Sequence, residues 1–419
     1  PRLFLAYTEA EFAQAYSGSL QDRLERSVEL VRQRGHSPLD GPALARAAAG
    51  CELLIAYRST ACAAATLQAL PELRALLRAA VDVSTIDLDE ASRQGVLVTR
   101  VSPGFFNAVA ELGVGLMIDL ARLMPTAGAA FRERHGSWLL GRMLPSGAFA
   151  DREGEEDLYY TAFGLRGLAV LGYLEGPVAE KASAWLRSKR DAHASAVDLH
   201  AFLQARALVL AAGATDPLNG IAPGWEDRVV AYLRSVRAPD GGLGKTPNPP
   251  TGSTYHTFLA LLCHQMIDRP PEDADALLAF LDSRRRDDGG YVEVKAMRRS
   301  GANPTAAGVG LEQILRGGLS GEALEKTTGF LLGLAGFDGG FRANSLIPVS
   351  DLLSSFTVGW TLSRLGRGDR LNRTALRGFL ESAEDPAGGF GAAAWDGGRD
   401  AEYTFYGLGL AALAYSPEA

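Results

Sequence analysis

The feature that most constrains the fold is a short glycine-rich motif that recurs in the second half of the chain. It occurs as Asp240–Leu243, Asp288–Tyr291, Asp338–Phe341 and Ala387–Phe390. Its glycine pairs begin at residues 241, 289, 339 and 388, so the spacings are 48, 50 and 49 residues. Self-similarity at a fixed period of this length is typical of a repeat architecture. We therefore interpret the chain from residue 146 onward repeat by repeat.

Each repeat contains a helix start rich in small and aromatic residues. The six starts are DLYYTAFGLRGLAVLG from Asp157, VDLHAFLQARALVLAAG from Val197, STYHTFLALLCHQM from Ser253, NPTAAGVGLEQIL from Asn303, SDLLSSFTVGWTLSRLG from Ser350 and AEYTFYGLGLAALA from Ala401. Amphipathic second helices are predicted at 178–189, 225–236, 274–284, 321–335 and 371–382. Since the first helices are apolar almost all round, they should be buried beneath the second ones.

About six such helix pairs predict two concentric rings, an (α/α)6 toroid. A linear solenoid is the alternative, but it would leave an apolar concave surface open to water. In the glycine-rich turns, the glycines should permit a positive φ and a close approach of helices. Asp287 and Asp288 belong to such a turn, so we interpret them as structural instead of as a magnesium motif.

The first 140 residues have a different organisation. Strand-like runs at 2–7, 52–57 and 95–101 alternate with helical patterns at 27–34, 61–70 and 88–94. This alternation predicts an α/β layer with a parallel sheet. The predicted domains are therefore an α/β module at 1–104, a connecting helix at 105–140 and the toroid at 141–419. The predicted fold class is multidomain, with a flavodoxin-like α/β module joined to an all-α toroid.

The amino-acid sequence of residues 51–138 closely resembles that of the substrate-binding domain of the D-2-hydroxyacid dehydrogenases. The carrying segments are CELLIAYRST at 51–60, VDVSTID at 81–87 and the VAEL helix from Val109. In that family an Arg-Ser-Thr turn lies near the substrate carboxylate, which implies a ligand-binding role for Arg58. A retained structural or dimerising module is the alternative interpretation, and we favour it.

The nucleotide-binding half of that family is missing from this sequence. Such a domain needs a Gly-x-Gly-x-x-Gly turn between a strand and a helix, and none follows Trp138. The family's catalytic Arg, Glu and His belong to the missing part, so no residue here inherits those roles. We therefore expect no NAD site.

The Gly-Gly-aromatic turns resemble the prenyltransferase and squalene-oxidase repeat. This repeat builds the β-subunits of protein prenyltransferases and the cyclase domains of class II terpene cyclases. The resemblance covers residues 146–416 and implies the toroid; it is much less specific for activity. In the prenyltransferases, zinc is held by Asp, Cys and His at helix starts. Here Asp351 matches the Asp, but Leu353 and Tyr403 replace the other two ligands, so we expect no zinc; magnesium is left open.

Class II cyclases use a protonated acid in an Asp-rich motif, whose pKa is raised by desolvation and by neighbouring carboxylates. The nearest match here is Asp400-Ala401-Glu402, which keeps two carboxylates two residues apart. The candidate catalytic residues are Glu402, Asp400, Asp351 and His256. The alternative is that the acids cap their helices, where negative charge is favoured.

The polar and aromatic groups at the helix starts would line one mouth of a closed toroid. The candidate ligand-binding residues are Tyr159, Tyr160, His200, Tyr255, Tyr403 and Tyr406, with Lys245, Arg298, Arg299 and Arg342 as a cationic clamp in the turn loops. Aromatic walls suit an isoprenoid or another long apolar ligand. Several cations could hold a diphosphate.

Composition narrows the classes of partner. With 42 Lys and Arg against 49 Asp and Glu, the net charge is -7, which argues against a nucleic-acid surface. Three cysteines lack ligand-like spacing and no apolar run could span a bilayer, so we expect a cytoplasmic protein. An apolar small molecule and a homodimer formed through the N-terminal module are the expected partners.

Three functional hypotheses follow from the sequence. The first is a zinc-independent, terpene-cyclase-like or prenyltransferase-like protein that acts on or binds an isoprenoid-type ligand, with or without a diphosphate. The second is a non-catalytic binding or scaffold protein. The third is a small-carboxylate binding protein that uses Arg58.

Overall fold

The computed structural model describes residues 2–9, 11–12, 24–26, 28–57, 60–78, 85–100, 128–191 and 194–415. The chain divides into two compact units, Pro1–Phe105 and Phe106–Ala419. Arg58, the 81–84 part of the VDVSTID stretch, and residues 105–127 of the predicted connecting helix lie outside the described residues.

The first unit is a parallel α/β layer. Its strands are β1 (Arg2–Ala6), β2 (Glu29–Arg32), β3 (Leu53–Ala56), β4 (Ala75–Arg78) and β5 (Leu97–Arg100). They pair in the order β2-β1-β3-β4-β5, and every neighbouring pair is parallel. This is the flavodoxin-like strand order. The helices α1 (Gly41–Ala47), α2 (Ala64–Gln68) and α3 (Leu88–Arg93) lie between the strands in the chain.

One helix prediction in this unit was wrong. Residues 27–34 were predicted to be helical, but Glu29–Arg32 form strand β2, which pairs in parallel with β1. The short segment SVELVRQR carries apolar residues at a spacing that fits either period. Pairing with β1 decided the outcome, because tertiary context overrides weak local propensity.

The second unit is built from twelve longer helices in the described residues. They are α4 (Ala129–Arg142), α5 (Leu158–Leu171), α6 (Gly176–Lys189), α7 (Ala196–Ala211), α8 (Trp225–Ser235), α9 (Thr254–Met266), α10 (Ala274–Arg284), α11 (Ala302–Arg316), α12 (Gly321–Leu332), α13 (Leu352–Arg364), α14 (Arg373–Ala383) and α15 (Ala401–Tyr415). A two-stranded antiparallel ribbon, Phe149–Ala150 with Glu156–Asp157, precedes α5.

Six of these helices form a closed inner ring. Helices α5, α7, α9, α11, α13 and α15 each contact the next, and α15 returns to contact α5. The outer helices α6, α10, α12 and α14 each pack on the inner helix that follows them in the chain, and α4 packs on α5 and α15. The predicted alternation of buried and amphipathic helices is therefore present, and the ring is closed, which an open solenoid would not be.

The glycine-rich turns fit tightly against the outer helices. Gly339 has φ +90°, and a Cβ placed on it would lie 2.4 Å from the carbonyl oxygen of Ala375 in α14. Gly289 has φ +86° and would meet the backbone of Lys326 in α12 at 2.4 Å. Only glycine accommodates both the positive φ and the contact. The positive φ and the close approach of helices that the sequence predicted at these glycines are therefore both present.

A buried hydroxyl fixes each turn to its own inner helix. The backbone N–H of Tyr291 donates to Thr305 Oγ1 at 2.9 Å, and that of Phe341 donates to Ser355 Oγ at 2.8 Å. The same bond recurs at three further sites, which pair Phe149 with Thr161, Leu243 with Thr257 and Phe390 with Thr404. Each hydroxyl is the fourth residue of its inner helix. Helix α7 follows no such turn and has Leu199 at that position.

Helix α4, the first long helix in the described part of the second unit, completes the outer ring next to the last turn. A Cβ on Gly388, in the last turn, would lie 2.7 Å from the carbonyl oxygen of Arg134. His135 is fully buried; its Nδ1 accepts from the N–H of Gly389 at 3.0 Å, and its Nε2 lies 3.1 Å from Glu384 Oε1. Since Nδ1 accepts, Nε2 carries the hydrogen and donates to the carboxylate. His135 is thus a structural link between the first and last repeats.

Every helix in the described residues is too short or too polar to traverse a lipid bilayer.

Candidate functional site

The inner helices all begin at one rim of the ring. The first backbone amide of four of them donates to a carbonyl in the turn loop of the next repeat: Ala196 to Lys245, Thr254 to Glu293, Ala302 to Ala343 and Leu352 to Ala392. The second residues of the six helices therefore share one level near this rim. They are Tyr159, Val197, Tyr255, Asn303, Leu353 and Glu402.

Glu402 is the carboxyl group at this level. Tyr159 donates its hydroxyl to Glu402 Oε1 at 2.7 Å, and the Tyr406 hydroxyl lies 3.4 Å from the same oxygen. Burial raises the pKa of Glu402 above its ordinary value, even though the hydrogen bond from Tyr159 acts in the opposite direction. Because both tyrosines donate to Oε1, the acid proton belongs on Oε2. The residue is thus a partly buried acid held in a fixed orientation.

An aromatic cluster lies one turn deeper than Glu402. The ring of Phe163 is 5.2 Å from that of Tyr406 and 5.6 Å from that of Phe405. Phe356 stacks on Tyr406 at 5.7 Å. These rings come from α5, α13 and α15, so they meet inside the ring. They form an apolar wall next to the acid, and sequence reasoning had identified only Tyr406 among them.

The other two candidate acids cap their helices. Asp351 accepts from the backbone N–H of Ser354 at 2.7 Å, and Asp400 accepts from that of Tyr403 at 2.8 Å. Asp400 also pairs with Arg152 at 2.7 Å. Burial raises the pKa of Asp351. The capping interpretation therefore describes the contacts of both residues, and Glu402 alone among the three faces the aromatic cluster.

Arg166 is a cation inside the ring that the sequence predictions did not include. It is the ninth residue of α5, and its guanidinium lies 4.6 Å from the centre of the Phe163 ring and 5.5 Å from that of Phe405. Burial lowers its pKa, against the opposing influence of Tyr406, Tyr159, Tyr255 and Glu402. Its Nε is buried and has no hydrogen-bond partner in the described structure. The signal for it was present: a lone arginine in an otherwise apolar helix.

His200 and Gln204 lie on α7, next to α5. His200 is 7% exposed, and its Nε2 is buried without a partner among the described residues. Burial, together with the charge of Arg166, lowers the pKa of His200 to about 3, so the imidazole is neutral at physiological pH. Gln204 Oε1 is likewise buried and unpartnered. Since they are four residues apart, these two side chains share one face of the helix.

The remaining predicted aromatic groups also lie near the rim. Tyr160 packs edge-on against Tyr159 at 5.8 Å, and Tyr403 against Tyr406 at 6.2 Å. Burial raises the pKa of Tyr160, Tyr255 and Tyr403 to about 12 in each case.

His256 follows Tyr255 on α9, and its backbone N–H donates to Ser253 Oγ at 3.0 Å. Burial lowers the pKa of His256, with a further contribution from the charge of Lys245. No contact joins His256 to Glu402 in the described structure. These two candidate catalytic residues are therefore not brought together.

The four cations of the predicted clamp lie on the turn loops. Arg342 donates to the backbone carbonyls of Leu334 and Gly333, at 3.3 and 3.2 Å, so its guanidinium holds its own turn. Lys245, Arg298 and Arg299 are exposed. Arg58 lies outside the described residues. None of the four loop cations is placed among the buried groups of the inner ring.

In the described residues, the structure contains neither a three-residue metal cluster nor a dinucleotide-binding motif in the second unit. Asp351 accepts a hydrogen bond from the N–H of Ser354, and Leu353 and Tyr403 occupy the other two positions that correspond to zinc ligands. No group of three His, Cys, Asp or Glu comes together in the described ranges. The described residues of the second unit contain only the short ribbon before α5 as strand structure. A strand, a glycine-rich turn and a helix that could hold a pyrophosphate are absent from that described part.

Comparison with known proteins identifies a family. The model for the catalytic domain of the D-isomer specific 2-hydroxyacid dehydrogenases matches residues 11–390. The chain belongs to this family. D-3-phosphoglycerate dehydrogenase from Rattus norvegicus is 36% identical over 88 residues, which make up 21% of this chain and 16% of that protein. The chain therefore spans about a sixth of the length of this curated relative.

The second unit resembles solved toroids. Protein geranylgeranyltransferase-I from Candida albicans, solved with GGPP, has a TM-score of 0.53 and 16% identity; the likeness covers 66% of this chain and 89% of that one. At this identity the likeness establishes the fold alone. A type II terpene cyclase from Scytonema, in complex with geranylgeranyl dihydroxybenzoate, has a TM-score of 0.44 and 14% identity, covering 72% and 98% of the two chains.

Proposed function

We propose that the helical ring binds an isoprenoid-type amphiphile among its inner helices and that Glu402 donates a proton to it. The observation that carries the proposal is the position of Glu402, a partly buried carboxyl with a raised pKa beside the rings of Tyr406, Phe163 and Phe356. Aromatic walls contribute apolar surface and can stabilise a cation through their faces.

The proposed chemistry is protonation of an alkene. The proton leaves Glu402 Oε2 for an alkene carbon, the π-electrons form the new C–H bond, and a tertiary carbocation and the Glu402 carboxylate result. Attack by a second double bond closes a ring, and loss of a proton from the product to the carboxylate restores the acid. Tyr159 and Tyr406 keep the carboxylate solvated by two hydroxyls while it is charged.

A non-catalytic binding protein is the second candidate, and Arg166 favours it. A guanidinium close to Phe163 and Phe405 repels a carbocation formed beside those rings. Under this alternative the ring binds an amphiphile and leaves it unchanged. The two candidates differ in whether product forms, while both require binding.

The test is incubation with farnesyl and geranylgeranyl diphosphates and with the corresponding alcohols, followed by mass spectrometry of extracts and a thermal-shift assay. We expect a shift with at least one isoprenoid and a product that Glu402→Gln abolishes while the shift remains. Glu381→Gln, an exposed outer-helix change, is the matched control. A shift without product supports the binding protein, and neither a shift nor product contradicts the proposal.

A further inference from the structure

We propose that Arg166, His200 and Gln204 form a buried subsite for the carboxylate of a monoanionic ligand, inside the ring and away from the exposed loops. This inference rests on the proposed function, since it specifies the polar group of the amphiphile that the ring binds. It places that group on α5 and α7, deeper than Glu402.

The three side chains are at matching depth on neighbouring helices. Arg166 and Gln204 are each the ninth residue of their helix, and His200 lies one turn nearer the rim. Helices α5 and α7 pack directly on one another. Burial and, to a lesser extent, the charge of Arg166 lower the pKa of His200. Two helices in direct contact thus carry, at similar depth, buried polar atoms without partners among the described residues.

Arg284, a buried arginine at a turn, differs from Arg166 in that its terminal nitrogens are hydrogen-bonded, although its Nε also lacks a partner in the described part of the chain. Arg284 is fully buried, and its guanidinium donates to Asp240 Oδ2 at 2.5 Å and to the carbonyl of Gly252 at 3.2 Å. Arg166 makes no hydrogen bond to any described residue and contacts two aromatic rings instead. A buried guanidinium nitrogen without a partner is costly unless a ligand completes it.

Arg166 is nevertheless partly accessible. Part of this side chain is therefore not covered by protein atoms. Its guanidinium lies between Phe163 on α5 and Phe405 on α15, two helices that meet in the inner ring. A small polar group can therefore reach Arg166.

The charge inside the ring suits one negative charge and not the two or three of a diphosphate. Of the other arginines on described inner helices, Arg206 pairs with Asp216, Arg316 pairs with Glu312, and Arg364 is exposed. His200 is neutral at physiological pH, because burial holds its pKa at about 3. One guanidinium matches a carboxylate, which accepts two parallel N–H bonds from it.

His200 and Gln204 supply the remaining contacts. A neutral imidazole donates from one ring nitrogen, and its Nε2 is the buried, unpartnered one. The Gln204 amide can donate or accept toward a carboxylic or hydroxyl oxygen beside it. The ligand class is thus an isoprenoid or similarly long apolar carboxylic acid, with its carboxylate on Arg166 and its chain directed along the aromatic cluster.

The test compares geranylgeranoic acid, geranylgeraniol and geranylgeranyl diphosphate by calorimetry on the full chain. The variants are Arg166→Met, His200→Phe and, as a control that removes one exposed outer-helix charge, Arg187→Met. We expect wild type and Arg187→Met to prefer the acid. Arg166→Met should lose affinity for the acid by about 30-fold or more while keeping its affinity for the alcohol, and should melt no lower than wild type.

Each outcome decides the matter. Equal affinity of wild type for acid and alcohol overturns the subsite but leaves the proposed function intact, and so does tighter binding of the diphosphate. Unchanged acid binding in Arg166→Met overturns it as well. If that variant does not fold, His200→Phe provides the same comparison, with a selective loss of acid affinity expected. If none of the three compounds binds, both the subsite and the proposed function are contradicted.

Discussion

Buried polar groups are mostly hydrogen-bonded in the turns between repeats, whereas several in the interior of the ring have no hydrogen-bond partner among the residues that the structure describes. In the turns, every fourth-position hydroxyl accepts a backbone N–H, and Asp338 accepts the Ser350 hydroxyl at 2.5 Å. In the interior, Arg166 Nε, His200 Nε2 and Gln204 Oε1 have no partner in the described structure. Arg284 at a turn is held by Asp240 although its Nε also lacks a partner among the described residues, whereas the interior groups have no such bond there, so a ligand is expected in the interior.

The largest effect is expected in the turns. Gly339→Ala should lower the free energy of unfolding by roughly 2–4 kcal/mol, because it combines positive-φ strain with a backbone clash. Urea unfolding followed by circular dichroism measures this. Gly378→Ala is the control: Gly378 lies in α14 with nothing within 4 Å of an added Cβ, so it should gain about 0.5–1 kcal/mol. Similar losses from both changes would contradict the role of the turn.

The hydroxyl links should give the next largest effect. Thr305→Val leaves the buried N–H of Tyr291 without its acceptor and should cost about 1–3 kcal/mol of unfolding free energy. Thr305→Ser keeps the oxygen and should recover most of that loss. Equal destabilisation by the two variants would show that packing of the methyl group, and not the hydrogen bond, matters at this position.

The smallest effect is expected in the interior, and it depends on pH. Because the folded-state pKa of Glu402 is raised, folding favours its protonated form. The associated stability is present below the unfolded pKa and is lost as pH rises through the folded value. Glu402→Gln should therefore match wild type near pH 4 and become the more stable protein at pH 8. A difference that does not vary with pH would show that the carboxyl is not desolvated.

The repeat architecture was predictable because the same turn and helix patterns recur several times along the sequence. The four glycine-rich turns recur at spacings of 48, 50 and 49 residues, so the copies support one another and a misreading of one copy does not change the predicted architecture. The pattern linking the turn residue Tyr291 to Thr305, 14 residues later, could have been found the same way. Strand β2 has no second copy, and its short apolar pattern fitted two periods equally well.

Only the part of the site at the repeated starts of the inner helices could be predicted from the sequence. The starts of the inner helices identified Glu402, Tyr159 and Tyr406, which do meet. The same pattern predicted Asp351 and Asp400 as candidate catalytic residues, but the side chains of both cap helices. Arg166 was missed because it occurs once, in the middle of a helix. Its partners in space come from α7 and α15, and no local pattern reveals contacts between helices that are far apart in the chain.

The position of helix α4 has a consequence for how the protein is made. Its His135 contacts residues 249 and 254 positions later in the chain, so its final partners are synthesised last. At about 5–20 residues per second, a ribosome needs roughly 10–50 s to add some 250 residues. During that interval the apolar face of α4 and the edge of α5 are uncovered. Biogenesis of this ring therefore includes a long-lived open form, and a chaperone that shields apolar helices during synthesis should raise its yield.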